Sequence, residues 1–380
     1  MGWVRPIARG WVVRDEVPGP DVDEFAEPAR VATALAAPGA ANRTLLAVQH
    51  PHRTPAAIAA DRSLLESLPA ARSTLATLLR TAYREVSTVV APYEVDGPDG
   101  AACGVLCMVD PAAVGTGHIR HSEEVYPDIV SERAAVLAGL GYATSAAMLV
   151  PVGDRDGLTA EIRAHTAGHA PATSTVDSRG RRHRLWLTTD TSILEAVEAH
   201  TLMVADGNHR VAAAVAAGLG GLLALVTAGP DLRIGAFHRV LTNTGLTATD
   251  LATAWRGVGL TVHEQQEAAT PTEPGTVVVR CQNTTLVVDL PEGLDHAVVE
   301  EVLLTEALRL DPESPNVQPL AAGRPIPANT DAVLELAPVP LRTVLAEHAA
   351  GRRMPRKSTY FTPKPRSGLL LADLREQPGS

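Results

Sequence analysis

The sequence is short of aromatic residues, cysteines and long apolar runs, and each shortage excludes a class of protein. Aromatics make up 3% of the 380-residue chain, so its core has to be built mainly from Ala, Val and Leu. The longest apolar stretch, Leu219 to Ala228, is about half the ~20 residues a membrane helix needs, so no membrane partner is expected. Three cysteines, Cys103, Cys107 and Cys281, contain no Cys-x-x-Cys pair. They give neither a disulfide framework nor a thiolate zinc site, and they read as small buried hydrophobes. Met1 to Arg14 has no continuous apolar stretch followed by a small-residue cleavage site, which points to the cytoplasm. Positive charge is also in deficit, with 33 Lys and Arg against 43 Asp and Glu and a net charge of -10. That is the wrong sign for a general binder of phosphate backbones, and no nucleic acid partner is expected. Several catalytic signatures are missing: there is no Gly-x-Ser-x-Gly elbow, His-Glu-x-x-His helix or Asp-Phe-Gly triplet. Gly218-Leu219-Gly220-Gly221 follows a helical pattern and precedes a strand, the reverse of a dinucleotide fingerprint, and reads as a helix C-cap.

What is present is a globular composition, with 45% hydrophobic and 20% charged residues, which argues against wholesale disorder. Short strands alternate with helices, which predicts a mixed α/β (α+β) fold. Thr44 to Val48 reads as a strand, and Ala56 to Tyr83 as helical with an interruption near Pro69. Gly104 to Val109 reads as a buried strand, Ser122 to Leu140 as a helix with a start signal at Pro127, and Ser145 to Val150 as a strand. The rhythm continues through strands at Arg184 to Thr188, Thr201 to Ala205 and Leu222 to Thr227, with helices at Ser192 to Ala199 and Asn208 to Ala217. Beyond Thr242 the pattern predicts a helix over Thr247 to Trp255 and a hairpin of Thr276 to Cys281 with Thr285 to Leu290. Helices follow at Leu294 to Leu308 and Pro340 to Ala350. The Pro-rich stretch Asp311 to Pro327 reads as a loop.

Three segments could carry chemistry. In Leu202 to Ala214 an apolar strand runs through Asp206-Gly207 into an Ala-rich helix, leaving unpaired N–H groups and the positive end of the helix dipole beside Asn208, His209 and Arg210. Arg210 offers a bidentate fork to a phosphate, His209 a donor or proton acceptor, and Asp206 a cap or a carboxylate for a metal or hydroxyl. The bland reading, a capped helix with solvated first-turn residues, is the weaker one for so many functional side chains around one glycine. The second segment is Gly115 to Glu124, where His121 and Glu123 form a candidate proton-transfer pair, with Glu132-Arg133 one helix length further on. His118 and His121, His50-x-His52 and His165-xxx-His169 have ligand-like spacings but no third ligand nearby, so scattered surface histidines are the better reading than zinc. The third segment, Gly351 to Lys364, imitates a phosphate-binding loop, but Arg356 stands where the second glycine is needed and Pro355 removes a donor. What remains is a cation cluster of Arg352, Arg353, Arg356, Lys357 and Lys364, with Ser358, Thr359, Tyr360 and Phe361. Such a cluster attracts polyanions, and its aromatics suit a docked segment better than a free tail.

Taken in order, Gly-x-Ile-x-His-x-Glu (Gly117 to Glu123), Glu132-Arg133, Ala-Asp-Gly-x-His-Arg (Ala205 to Arg210), Phe-His-Arg-Val (Phe237 to Val240) and Met-Pro-x-Lys-Ser-Thr-Tyr-Phe-x-Pro-Lys (Met354 to Lys364) resemble a bacterial and archaeal family known as domain of unknown function number 1015. The resemblance runs from about Arg43 to Leu370. The Asp-Gly-x-His-Arg box is shared more loosely with the ParB and sulfiredoxin superfamily, which includes nucleotide-binding partition proteins and kinases of free serine. The sequence departs from the family at Asn208, usually a second His, and at Glu132, usually Asp; a Pro-Pro-Tyr-Asp-Val-like N-terminal motif is not recognisable.

The resemblance implies a ParB/sulfiredoxin-like core at 111–245 carrying the phosphate box, an N-terminal α/β region at 1–110, and a C-terminal α/β region at 246–380 whose basic segment 351–366 folds back on the site. It also implies a small-molecule kinase passing a phosphoryl group from ATP or ADP, with Mg²⁺, to the hydroxyl of serine or a serine-like amino acid. In that reading Glu123, Asp206 and His209 are catalytic, with Asp206 the candidate magnesium ligand. Gly207, Asn208, Arg210, Lys357, Ser358 and Thr359 hold the nucleotide phosphates, while His121, His238 and Arg239 bind the substrate. A homodimer is allowed. The alternatives are a nucleotide-binding switch without a phosphorylated acceptor, or another ATP-dependent transfer or ligation.

Overall fold

The structure is a computed structural model that describes residues 2–22, 25, 28–153, 155–230 and 232–375. The fold is mixed α/β, and the chain divides into two compact units: Met1–Arg233 with Thr362–Ser380, and Ile234–Phe361.

In the first unit a nine-stranded sheet runs in the order Ile119–His121, Leu202–Asp206, Ala147–Pro151, Leu222–Pro230, Gly100–Val109, Ala91–Gly97, Arg182–Leu185 and Thr173–Val176, with Val4–Arg5 pairing a second time on Gly100–Val109. Its central strands are apolar on both faces. Cys103, Val105, Cys107 and Val109 pack with Ile162, Val197 and Val211, whereas Ala102, Leu106 and Met108 pack with Val12, Leu75 and Leu371. A strand buried on both sides reads as an unbroken apolar run, which is why Gly104 to Val109 is so plain in the sequence. A four-stranded sheet, Tyr83–Val89, Ile7–Val13, Leu370–Asp373 and Tyr142–Ala143, completes the unit. Cys103, Cys107 and Cys281 are free and buried, and burial pushes the Cys107 thiol up to about 12, so it is an inert hydrophobe.

The second unit is built on a six-stranded antiparallel sheet, Val262–Gln265, Thr284–Asp289, Thr276–Cys281, Thr330–Glu335, Phe237–Thr242 and Val317–Ala321. The expected hairpin is present, with Val278 opposite Val287. Trp255, on the helix Ala248–Gly257, is fully buried and donates its indole N–H to the Leu303 carbonyl at 3.1 Å. Thr247 and Asp250 close a reciprocal capping box at the start of that helix.

Three local expectations are corrected. Thr44 to Val48 is not a strand: Thr44 accepts from the Ala47 N–H and caps the helix Leu45–Gln49, whose four consecutive buried residues made it look like a strand. Ala56 to Tyr83 divides into the helices Pro55–Ala59 and Leu68–Thr81, with Pro69 in the first turn of the second, and Tyr83 opens a strand. Asp311 to Pro327 holds the edge strand Val317–Ala321, where Pro319 is tolerated because an edge position does not need every N–H.

Candidate functional site

The site is built at the junction between the strand Leu202–Asp206 and the helix Asn208–Ala216. The strand pairs in parallel with Ile119–His121 and antiparallel with Ala147–Pro151, with a register shift between Val204 and Asp206 at its functional end. Gly207 makes the turn at φ 94°, a left-handed conformation, and an added Cβ would sit 3.1 Å from Arg210 Nη1. The backbone conformation is what favours glycine there, while a Cβ would press on the Arg210 guanidinium.

Asn208 is buried and ties the strand ends together. Its Oδ1 accepts from the Ser122 N–H at 3.2 Å and lies 3.1 Å from His121 Nδ1, while its Nδ2 donates to Ser122 Oγ at 3.2 Å. The Ser122 hydroxyl in turn donates to the Val204 carbonyl at 2.6 Å. An amide supplies a donor and an acceptor at once, which a neutral imidazole at this position would have to deliver from opposite sides of its ring. His209 Nε2 accepts from the Tyr126 N–H at 3.0 Å, and the two rings stack at 5.7 Å and 11°. That bond places the proton of the neutral imidazole on Nδ1. Arg210 Nη1 donates to the Ala146 carbonyl. Arg133 stands in the same electrostatic neighbourhood, feeling the charges of Arg210, Glu132 and Asp206. Glu123, two residues beyond the strand Ile119–His121, is half-buried.

Lys364 completes the group, with its ammonium 2.5 Å from Asp206 Oδ1. An open cleft is lined by Asp206, Arg210 and Lys364, together with Tyr93, Leu106 and Leu223. The cleft thus offers cations, one carboxylate and an apolar wall. In the sequence Lys364 belongs to the cation cluster of the segment 351–366, which the resemblance expects to fold back on the site, with no individual role. The overlooked signal is its residue type: only Lys357 and Lys364 are lysine, all the other basic side chains being arginine. An ammonium is a compact point charge, which suits the single carboxylate oxygen of Asp206 that Lys364 meets.

The remaining candidates lie in the second unit and have internal partners. Arg239 is 3% exposed and donates all five N–H groups: to Glu300 Oε1 at 3.0 and 2.6 Å, and to the carbonyls of His238, Lys357 and Arg356 at 3.3, 3.1 and 3.1 Å. His238 Nδ1 accepts from the Leu336 N–H at 3.1 Å, and burial lowers its pKa. Ser358 is fully buried and donates to the Pro355 carbonyl at 2.7 Å, Thr359 is buried, and Lys357 has a positive φ of 51°. Gripping a substrate carboxylate with Arg239 would mean giving up bonds that hold the 356–357 turn.

Among the described residues no cluster of three His, Cys, Asp or Glu side chains forms a ready metal site. Asp206 supplies one carboxylate, which fits magnesium as it is usually held beside nucleotide phosphates and water. No helix among the described residues is long and apolar enough to cross a membrane.

Residues 70–305, more than half of the chain, match the model of a protein family of unknown function, DUF1015, and the chain belongs to that family. No curated protein matches it. Among solved structures, a free serine kinase in complex with AMP aligns at 13% identity and a TM-score of 0.40, over 70% of this chain and 92% of its own. SbnI with a C-terminal truncation, from Staphylococcus aureus, aligns at 16% identity and a TM-score of 0.43, over 72% and 90%. A conserved hypothetical protein from Pyrococcus furiosus aligns at 12% identity and a TM-score of 0.41, over 69% and 93%.

Proposed function

We propose that the protein is a small-molecule kinase that transfers a phosphoryl group from ATP or ADP to the hydroxyl of serine or a serine-like amino acid. The observation that carries this reading is the convergence of Asp206, Arg210 and Lys364 on one cleft at a helix start. Phosphoryl transfer is chiefly positioning and charge neutralisation, and this set offers both. Arg210 and the N–H groups at the start of Asn208–Ala216 bind phosphate oxygens. Asp206 orients the acceptor hydroxyl, and Lys364 neutralises charge beside it. Glu123 takes the hydroxyl proton as the oxygen–phosphorus bond forms and the bridging oxygen–phosphorus bond of the nucleotide breaks. His209 donates from Nδ1 to the transferring group. Magnesium, when bound with the nucleotide, would be held by Asp206 and supply further charge neutralisation.

Isothermal titration with ADP and with ATP tests the phosphate site. The wild-type protein should bind at least one of them, and Arg210→Ala should weaken that binding by roughly 10- to 100-fold, the worth of a charge-assisted hydrogen-bond pair. Equal affinity in the two proteins would remove Arg210 from the site and with it the reading.

A further inference from the structure

The hairpin Thr173–Val176 and Arg182–Leu185 carries a buried polar chain to which the proposed reaction gives no part. Asp177 Oδ1 accepts from the N–H groups of Arg179 and Arg181 at 2.9 and 3.0 Å. Its Oδ2 lies 2.6 Å from Arg181 Nε and 3.1 Å from His183 Nε2. On its other side His183 Nδ1 is 2.6 Å from the Tyr93 hydroxyl, and His183 and Tyr93 are both essentially inaccessible to water. Only one set of proton positions satisfies every member. Burial opposes the charge of Asp177, yet its bonds from His183 and Arg181 hold its pKa at about 2, so it is an acceptor only. His183 Nε2 must therefore donate, and burial, which lowers the imidazole's pKa, keeps the ring neutral. Nδ1 is then an acceptor, and the Tyr93 O–H, itself held neutral by burial, donates to it. The Tyr93 oxygen is left with its lone pairs for the Arg366 N–H, 3.4 Å away.

That last bond reaches the segment that carries Lys364. The segment is fastened on either side of it: Thr362 donates to Asp99 Oδ2 at 2.7 Å, with Arg181 Nη1 3.8 Å from the same oxygen. Further along, Arg366 pairs with Asp21 at 2.9 Å, and the Ser367 N–H donates to Asp21 at 2.8 Å. Lys364, between these anchors, reaches Asp206.

We propose that Asp177, His183 and Tyr93 form a hydrogen-bond chain of fixed direction that holds residues 362–368 in place and thereby positions Lys364 on Asp206. They are positioning residues that act through Lys364, and the ligand-binding part of the proposal rests on the nucleotide reading above. The direction of the chain gives it a signature that packing alone lacks. Asp177→Asn preserves shape but allows the carboxamide to donate to His183 Nε2, which moves the imidazole proton to Nδ1. The Tyr93 hydroxyl proton then turns toward the Arg366 N–H, donor against donor.

The full-length protein labelled with ¹⁵N-lysine should show two ammonium signals, one of which moves in Asp206→Asn and is thereby Lys364. In Asp177→Asn and in Tyr93→Phe that signal should move the same way. An unmoved Lys364 signal in a folded Tyr93→Phe protein would overturn the proposal, and this variant decides the matter if Asp177→Asn fails to fold. A second arm measures ADP affinity: Tyr93→Phe should weaken it about 5-fold in the wild-type background and leave it unchanged in Lys364→Ala. Equal losses in both backgrounds would show a general packing effect and overturn the proposal. Absence of ADP and ATP binding to the wild-type protein would defeat the nucleotide reading, while the lysine signals would still decide the chain.

Discussion

In the first unit Asp206, Arg210 and Lys364 line a cleft, whereas in the second Arg239 is buried with every N–H donated inside its own unit. Both regions carry motifs of His, Arg and neighbouring cations, and by residue type alone they are equals. The difference lies in what the backbone does around them. A strand that ends at a left-handed glycine and turns into a helix presents its polar side chains at the positive end of the helix dipole. A residue within a paired strand, as Arg239 is between Val317–Ala321 and Thr330–Glu335, goes where the sheet sends it, here onto Glu300 and the 356–357 carbonyls. Substitutions in the first group should therefore disturb binding and chemistry, and substitutions in the second should disturb stability.

The largest separation of the two is expected at the reacting group. Glu123→Gln should lower turnover by roughly 100- to 10,000-fold, the range for removing a general base, while nucleotide titration still gives binding. A fully active Glu123→Gln protein would remove that residue from the mechanism. Next comes Arg239→Ala, which leaves Glu300 and three carbonyls without their donor and should lower the unfolding free energy by about 3 kcal/mol, read by urea denaturation. A loss within a few tenths of a kcal/mol would place Arg239 with the functional residues after all. Trp255→Phe keeps the ring in the second core but abandons the Leu303 carbonyl, and should lower the same quantity by about 1 to 2 kcal/mol.

A separate effect is in pH. Burial, with the charges of His52, Arg133 and Arg53 adding to it, lowers the pKa of His50 to about 4, against 6.5 for an unperturbed histidine. Between these values the unfolded chain binds the proton and the folded one does not, so stability is full above about pH 6.5 and falls as pH drops toward 4. His50→Gln should flatten the stability profile in that window. An unchanged slope would show that His50 is not the group responsible.

Much of the candidate site is legible in the sequence because its signals are local. Leu202 to Asp206, the glycine and the Ala-rich helix follow one another directly from Leu202 to Ala216, and the structure has them as read. The partners that complete the site are not legible in local spacing, because they come from far along the chain; the expectation that the segment 351–366 folds back on the site comes from the family resemblance alone. Lys364 lies 158 residues from Asp206, and Tyr93 lies 90 from His183, and no periodicity encodes such meetings. Asn208 shows a different limit. Its type suggests phosphate binding, but its amide joins Ser122 and His121, a role visible only once the two parallel strands are side by side. Misread elements fail for equally physical reasons. The four buried residues Leu45 to Val48 mimic a strand when they form a short helix, and the prolines of 311–327 obscure an edge strand that tolerates one of them.

The central claim is that the Asp206 to Arg210 box transfers a phosphoryl group to a small hydroxy amino acid. The most direct test is phosphorus NMR of the protein with magnesium and ATP, or separately ADP, against a panel of free amino acids and hydroxy acids. The account predicts a new phosphomonoester resonance that appears only with serine or a close relative and disappears in Arg210→Ala. Nucleotide binding with no acceptor-dependent product across the panel would contradict it and leave a nucleotide-binding switch as the function of the cleft.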